Sequence, residues 1–247
     1  MDGGDSNGGV FFDRAASVAT SGGHIWIGGS TNDGTPTATW NELTVGDGYA
    51  VSGKNIDYMQ YYSTPMGWEA GVFLNQATLN SGGGDIYMAG QRNASLNSKN
   101  GAGIINYTGT GTTINAGMGT IEMIGVGNTT DNITFGVMTG LHPNDYAGVL
   151  ALISENVSDD YAISIQGSSV DADAGILIEN KTRLLSTASS NGGGISIIGA
   201  NTFDPSGSAL SVGIGSNAGT LEALSASGAI DINVGTDPLV IASSGVF

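Results

Sequence analysis

The chain has 247 residues, 42 of them glycine and none cysteine, with 22 acidic against 6 basic side chains and a net charge of −16. So large a surplus of acid opposes both the phosphate backbone of nucleic acids and anionic lipid, and neither is expected as a partner. Without cysteine there is no disulfide framework and no thiolate metal site, and no run of 18 apolar residues offers a membrane span.

From the N-terminus, MDGGDSNGGV (1–10) carries neither the basic region nor the apolar stretch of a signal peptide, so a signal peptide is expected to be absent or already removed. The first clear element is GGHIWIGG (22–29), where Ile25 and Ile27 alternate with outward positions and glycine closes the run. Such period-2 alternation with turn punctuation marks a half-buried strand. The same signal returns in GGDIYMAG (83–90), MGTIEMIG (118–125), YAISIQG (161–167), DAGILIEN (173–180), GGGISIIG (192–199) and SGAIDINVG (227–235). Further apolar strands lie between the copies, at IINY (104–107), ITFGVM (133–138), VLALIS (149–154) and LSVGIG (210–215).

Many copies are preceded by a second pattern, in which an apolar residue and a Ser or Ala lead into a glycine-rich corner: ASVATSGGHI (16–25), ATLNSGGGDI (77–86), TTINAGMGTI (112–121), RLLSTASSNGGGI (183–195) and LEALSASGAI (221–230). A recurring strand, corner and strand means one unit stacked many times. The expected fold is all-β, a parallel β-helix or β-solenoid whose aliphatic rows share one interior, with no helix signalled. Counting every apolar strand gives intervals near 18, such as Ile86 to Ile104. The expectation is therefore a coil of about 18–20 residues, about a dozen coils, and a rod of about 55–60 Å at one strand spacing per coil. Glycine, at about two and a half times its usual share, is expected at corners of positive φ. An antiparallel sandwich is the competing arrangement.

Residues 32–75 break the pattern. They hold Trp40, Tyr49, Tyr58, Tyr61, Tyr62, Trp68 and Phe73, with Pro36 and Pro65. The division is thus 1–31 as first coils, 32–75 as an aromatic-rich insertion or set of irregular coils, and 76–247 as continuing solenoid. Trp40, Tyr58, Tyr61, Tyr62 and Trp68 are candidate glycan contacts, since aromatic faces stack on sugar rings; core filling is the plainer role for such residues.

The stretches ATLNSGGGDIYMAG (77–90), TTINAGMGTIEMIGVGN (112–128) and LEALSASGAIDINVG (221–235) resemble the haemagglutinin-type repeats of two-partner-secretion exoproteins and related autotransporter passengers. That resemblance covers about two thirds of the chain. It implies a right-handed parallel β-helix in a secreted bacterial surface fibre, commonly an adhesin. The signature of the family's N-terminal secretion domain is missing from this sequence, so the resemblance implies an internal segment of a longer protein.

For catalysis, paired carboxylates are the minimum for glycoside hydrolysis, and Asp159, Asp160, Asp171 and Asp173 are the candidates. The Gly-His-Gly and Arg-x-Lys elements of the hydrolases that the chain resembles are missing, and solvated acidic corners account for these residues. His24 and His142 are too few for a zinc site. The Asp-, Asn- and Gly-rich stretches 2–9 and 30–35 could offer oxygen ligands to Ca²⁺, although simple turns have the same composition. Six Asn-x-Ser/Thr sequons fall at Asn93, Asn106, Asn128, Asn132, Asn156 and Asn180. The functional expectation is a non-catalytic structural and adhesive segment, extracellular, without cofactor. It would meet a surface glycan or protein receptor and associate head to tail. A carbohydrate-active enzyme and a glycan-binding module are the alternatives.

Overall fold

The computed structural model describes residues 9–12, 15–29, 39–40, 43–44, 48–52, 68–92, 100–107, 111–127, 134–140, 149–170, 174–179, 181–188, 192–201, 208–212, 219–235 and 239–241. Their strands fall into successive coils of three. The first holds β1 (Val10–Phe12), β2 (Ser17–Ala19) and β3 (Ile25–Ile27). A short antiparallel pair comes next, β4 (Thr39–Trp40) with β5 (Leu43–Thr44), and then β6 (Ala50–Val51). The second coil is β7 (Trp68–Asn75), β8 (Thr78–Asn80) and β9 (Ile86–Gln91), and the third is β10 (Asn100–Tyr107), β11 (Thr112–Gly117) and β12 (Ile121–Gly127). The fourth is β13 (Thr134–Thr139), β14 (Val149–Ser154) and β15 (Tyr161–Ser169). The fifth is β16 (Ala174–Ile178), β17 (Lys181–Ser186) and β18 (Gly194–Asn201), and the sixth is β19 (Ser208–Val212), β20 (Thr220–Ser225) and β21 (Ile230–Asn233). β22 (Leu239–Ile241) opens a seventh.

Corresponding strands of successive coils pair in parallel and form three sheets. The first runs β1-β7-β10-β13-β16-β19-β22, the second β2-β8-β11-β14-β17-β20, and the third β3-β9-β12-β15-β18-β21, with β6 also pairing β9. This is the parallel β-solenoid read from the sequence, and the antiparallel sandwich is set aside.

The coil length is corrected. Ile86 pairs with Ile121, 35 residues on, whereas Ile104 lies in a different sheet and pairs with Val72 and Val137. Intervals near 18 join strands that succeed each other along the chain but occupy different faces. From the second coil onward, paired positions lie 29 residues apart (Leu210 to Leu239) to 42 apart (Ile121 to Ile163). Seven strands in the longest sheet span six spacings, about 29 Å, so the expected rod is about halved.

Each sheet turns aliphatic ladders inward. The third sheet stacks Ile25, Ile86, Ile121, Ile163, Ile195 and Ile230, with Ile27, Met88, Met123, Ile165, Ile197 and Ile232 two residues along. The second contributes Val18, Leu79, Ile114, Leu152, Leu184 and Ala223. Most of these residues join one buried cluster with Val72, Ile104, Val137, Ile176 and Leu210 of the first sheet. At about 1.5–3 kcal/mol for each fully buried aliphatic side chain, this interior outweighs any other contribution to stability. The first sheet is apolar on its other face as well, where Phe73, Ile105, Met138 and Leu177 are in register and buried.

Two kinds of glycine shape the cross-section. At the corner between the second and third sheets, Gly83 has φ +121°, and a Cβ added there would meet nothing within 4 Å, as expected of a corner residue. The glycine that closes each Ile-x-Ile run has another purpose. Gly90, Gly125, Gly167 and Gly199 pair in one ladder of the third sheet. They face the first sheet at Gly103, Gly136, Gly175 and Ala209 so closely that a Cβ on Gly125 would lie 2.0 Å from the Gly136 carbonyl oxygen. Here glycine lets two sheets meet backbone to backbone, a close approach rather than a positive φ.

At the corner between the second and third sheets backbone bonds between coils continue, as from the Ser81 N–H to the Asn115 carbonyl at 3.1 Å and the Gly83 N–H to the Ala116 carbonyl at 3.0 Å, and hydroxyl groups add to them. Thr20 Oγ1 donates to the Ser81 carbonyl at 2.7 Å, Ser81 Oγ to that of Ala116 at 3.1 Å, and Ser154 Oγ to that of Gly119 at 2.7 Å. Ser154 Oγ also accepts from the Asn156 N–H at 3.1 Å. Ser154 is fully buried, so Ser154→Ala is expected to lower stability by about 1–3 kcal/mol through the two unsatisfied partners, read as a lower urea midpoint at unchanged m.

Candidate functional site

Because Ile25 and Ile27 and their counterparts point inward, the residue between them points out. Trp26, Tyr87, Glu122, Ser164, Ser196 and Asp231 are therefore in register along the outside of the third sheet, one per coil. A second outer row, Ala89, Ile124, Gln166, Ile198 and Asn233, runs beside it.

The N-terminal part of this face is aromatic. Trp26 and Tyr87 stack with ring centroids 5.9 Å apart and planes within 9°. The indole lies down along its own strand, since a Cβ on Gly28 would meet Trp26 Cη2 at 2.3 Å and Cζ2 at 2.6 Å. Both rings are partly exposed. Burial, with the neighbouring Glu122 and Tyr49 adding to it, pushes the Tyr87 hydroxyl up to about 12, so it stays protonated and able to donate. Burial also raises the Glu122 carboxyl above the ordinary carboxylate range, and Gln166 Nε2 points at Glu122 Oε1 from 3.5 Å.

The C-terminal part is a groove of mixed polarity, about 420 Å³, lined by the polar Tyr161, Ser196, Asp231 and Asn233 and the apolar Ile198, Ile232 and Val234. The Tyr161 hydroxyl donates to Asp231 Oδ2, which raises the tyrosine pKa through that hydrogen bond and the nearby charge. Tyr161 and Asp231 thus bridge from β15 to β21 across the intervening β18.

The sequence-derived candidates fall elsewhere. Tyr58, Tyr61 and Tyr62 lie outside the described residues, and Trp40 and Trp68 are described only as backbone, in β4 and β7. Asp159 and Asp160 are exposed at the corner before β15, where the Asp159 N–H donates to Asn156 Oδ1 at 3.0 Å and the Asp160 carbonyl accepts from the Gly194 N–H at 2.9 Å. Asp171 and Asp173 lie outside the described residues, as do His142 and the stretches 2–8 and 30–35 considered for Ca²⁺. Among the described residues no three His, Asp or Glu side chains gather as a metal site would require. His24 is exposed; its Nδ1 accepts from the Asp85 N–H at 2.9 Å, and Asp85 Oδ1 in turn accepts from the Thr120 N–H at 2.8 Å. Lys181 and Arg183 both face Glu222, at 3.3 and 3.6 Å. Of the sequons, Asn106 and Asn156 are buried, and Asn156 Nδ2 donates to the Met118 carbonyl at 3.0 Å, a structural role. The other four lie outside the described residues.

Trp26 and Tyr87 do not stand out in the sequence, where the dense aromatics of 40–73 are the conspicuous group. The usable signal is phase: each is the outward residue of an Ile-x-Ile or Ile-x-Met copy, and corresponding copies stack. No protein-family model, curated protein or solved structure matches the chain.

Proposed function

We propose that this chain is a non-catalytic structural and adhesive segment of a secreted bacterial surface fibre, its solenoid spacing or presenting a surface that meets a receptor. The likeness of its corner-and-strand units to haemagglutinin-type repeats supports the extracellular setting. The observation that carries the structural reading is the third-sheet isoleucine ladder: Ile25 at one end is 4% exposed, whereas Ile230 at the other is 43% exposed. Leu239 of β22 is 42% exposed, and it too continues an inward ladder, from Leu210. Among the described residues, the C-terminal coil thus presents aliphatic rows and an unpaired strand edge, the surface on which every earlier coil receives its neighbour.

The expected result is concentration-dependent self-association of the 247-residue chain over about a hundredfold range by sedimentation, abolished by Ile230→Asp and unaffected by Glu155→Ala at an exposed corner of the fourth coil. A monomer throughout that range, or an Ile230→Asp variant that associates as before, would remove the basis for the fibre reading.

A further inference from the structure

We propose that the outer face of the third sheet binds a neutral polysaccharide laid along the stack axis, with the Trp26–Tyr87 shelf as its stacking end and the Tyr161–Asp231 groove as its polar end. This names a ligand class for the adhesive half of the preceding reading and rests on it.

Three features of the face select that ligand. The first is the shelf itself. Trp26 and Tyr87 are parallel within 9° and the indole is laid against the strand by the absence of a side chain at Gly28. The two rings are stacked on each other, and a ring face that is not turned to its neighbour can stack on the C–H face of a pyranose, apolar contact that a polar polymer offers only there. The second is the polar run beyond the shelf. Glu122 and Gln166 come next on adjacent strands, and Asp231 and Asn233 end the face beyond the exposed Ile198 of β18, so hydroxyl-binding acceptors and amides lie at both ends of a run several strands long. A run of polar groups spread over several strands matches a linear polymer, whereas a small ligand calls for an enclosing pocket. The third is charge. With −16 overall and carboxylates at 122 and 231, the face repels sulfated, phosphorylated and uronic chains and leaves neutral ones.

The test is affinity electrophoresis of the full chain in native gels cast with hydroxyethylcellulose, laminarin, glucomannan or, as the anionic control, alginate. Retardation is expected in at least one neutral gel and not in alginate. Trp26→Ala and Tyr87→Ala should each weaken it about tenfold, a loss the size of one aromatic stacking contact. Trp26→Phe, which keeps a ring on the shelf, should fall in between. Leu224→Ala, on a different sheet, should change nothing. Should Trp26→Ala melt early, Gln166→Ala carries the test on a partly exposed side chain, with a loss of about threefold expected for one hydrogen bond. Migration unaffected by any neutral gel, retardation in alginate alone, or retardation that Trp26→Ala and Gln166→Ala leave intact would each overturn the proposal. Self-association through Ile230 is read separately, so failure here is distinct from failure of the fibre reading.

Discussion

Gly125→Ala is expected to be among the most damaging single-methyl substitutions in the described part of the chain, lowering stability by at least about 3 kcal/mol or preventing folding. The added Cβ would sit 2.0 Å from the Gly136 carbonyl oxygen, 2.5 Å from its carbonyl carbon and 2.7 Å from Val137 Cγ2. Two of those three atoms are backbone in a strand paired on both sides, so neither sheet can move aside without breaking its own ladder. Gly83→Ala is the informative comparison. It meets open space, and its cost is the left-handed backbone alone, about 1–2 kcal/mol. Urea denaturation of both variants would rank them. Equal losses would mean that close approach of the sheets matters no more than backbone strain.

The second large effect is expected at a buried ion pair. Arg92 is fully buried, its Nε lies 3.7 Å from Glu69 Oε2, and Glu69 is 2% exposed. The arginine stem fits because Gly101 has no side chain: a Cβ there would meet Arg92 Cδ at 2.7 Å. Removing one charge from such a site leaves the other desolvated, so Arg92→Met and Glu69→Leu should each cost about 3–5 kcal/mol. The double variant should cost clearly less than the two losses added, since no charge then remains buried. A double-mutant cycle by urea denaturation measures this. Additive losses would show that the pair acts through packing volume and not through charge.

The extent to which this fold is legible depends on the kind of signal each part carries. Ile86, Ile121 and Ile195 announce the third sheet because alternation, a glycine before and a glycine after coincide within a few residues. Ser81 and Ser154 mark the corner because their hydroxyls donate to the carbonyls of Ala116 and Gly119 there, in addition to the backbone bonds between coils. Coil length is easily misread because sequence shows the order of strands and not which of three faces each occupies. Val72, Ile104 and Val137, being in a sheet apolar on both faces, lack the alternation that would set them apart. The role of the closing glycines is hidden for a related reason: Gly125 needs no special φ, and only its neighbour from another sheet, Gly136, explains it. The outer-face residues Trp26, Tyr87 and Glu122 lie 61 and 35 residues apart, and no local window joins them.

Ile25 and Ile86 are in register although 61 residues separate them, while Ile86 and Ile121 achieve the same register with 35. Entropy penalises so much extra chain only weakly, by about 0.6 kcal/mol for each doubling of a loop. Length can therefore be added between coils at small thermodynamic cost, and the stack can acquire new surface appendages while its interior stays as it was. An architecture of this type separates what is inherited for stability from what is free to diversify for recognition.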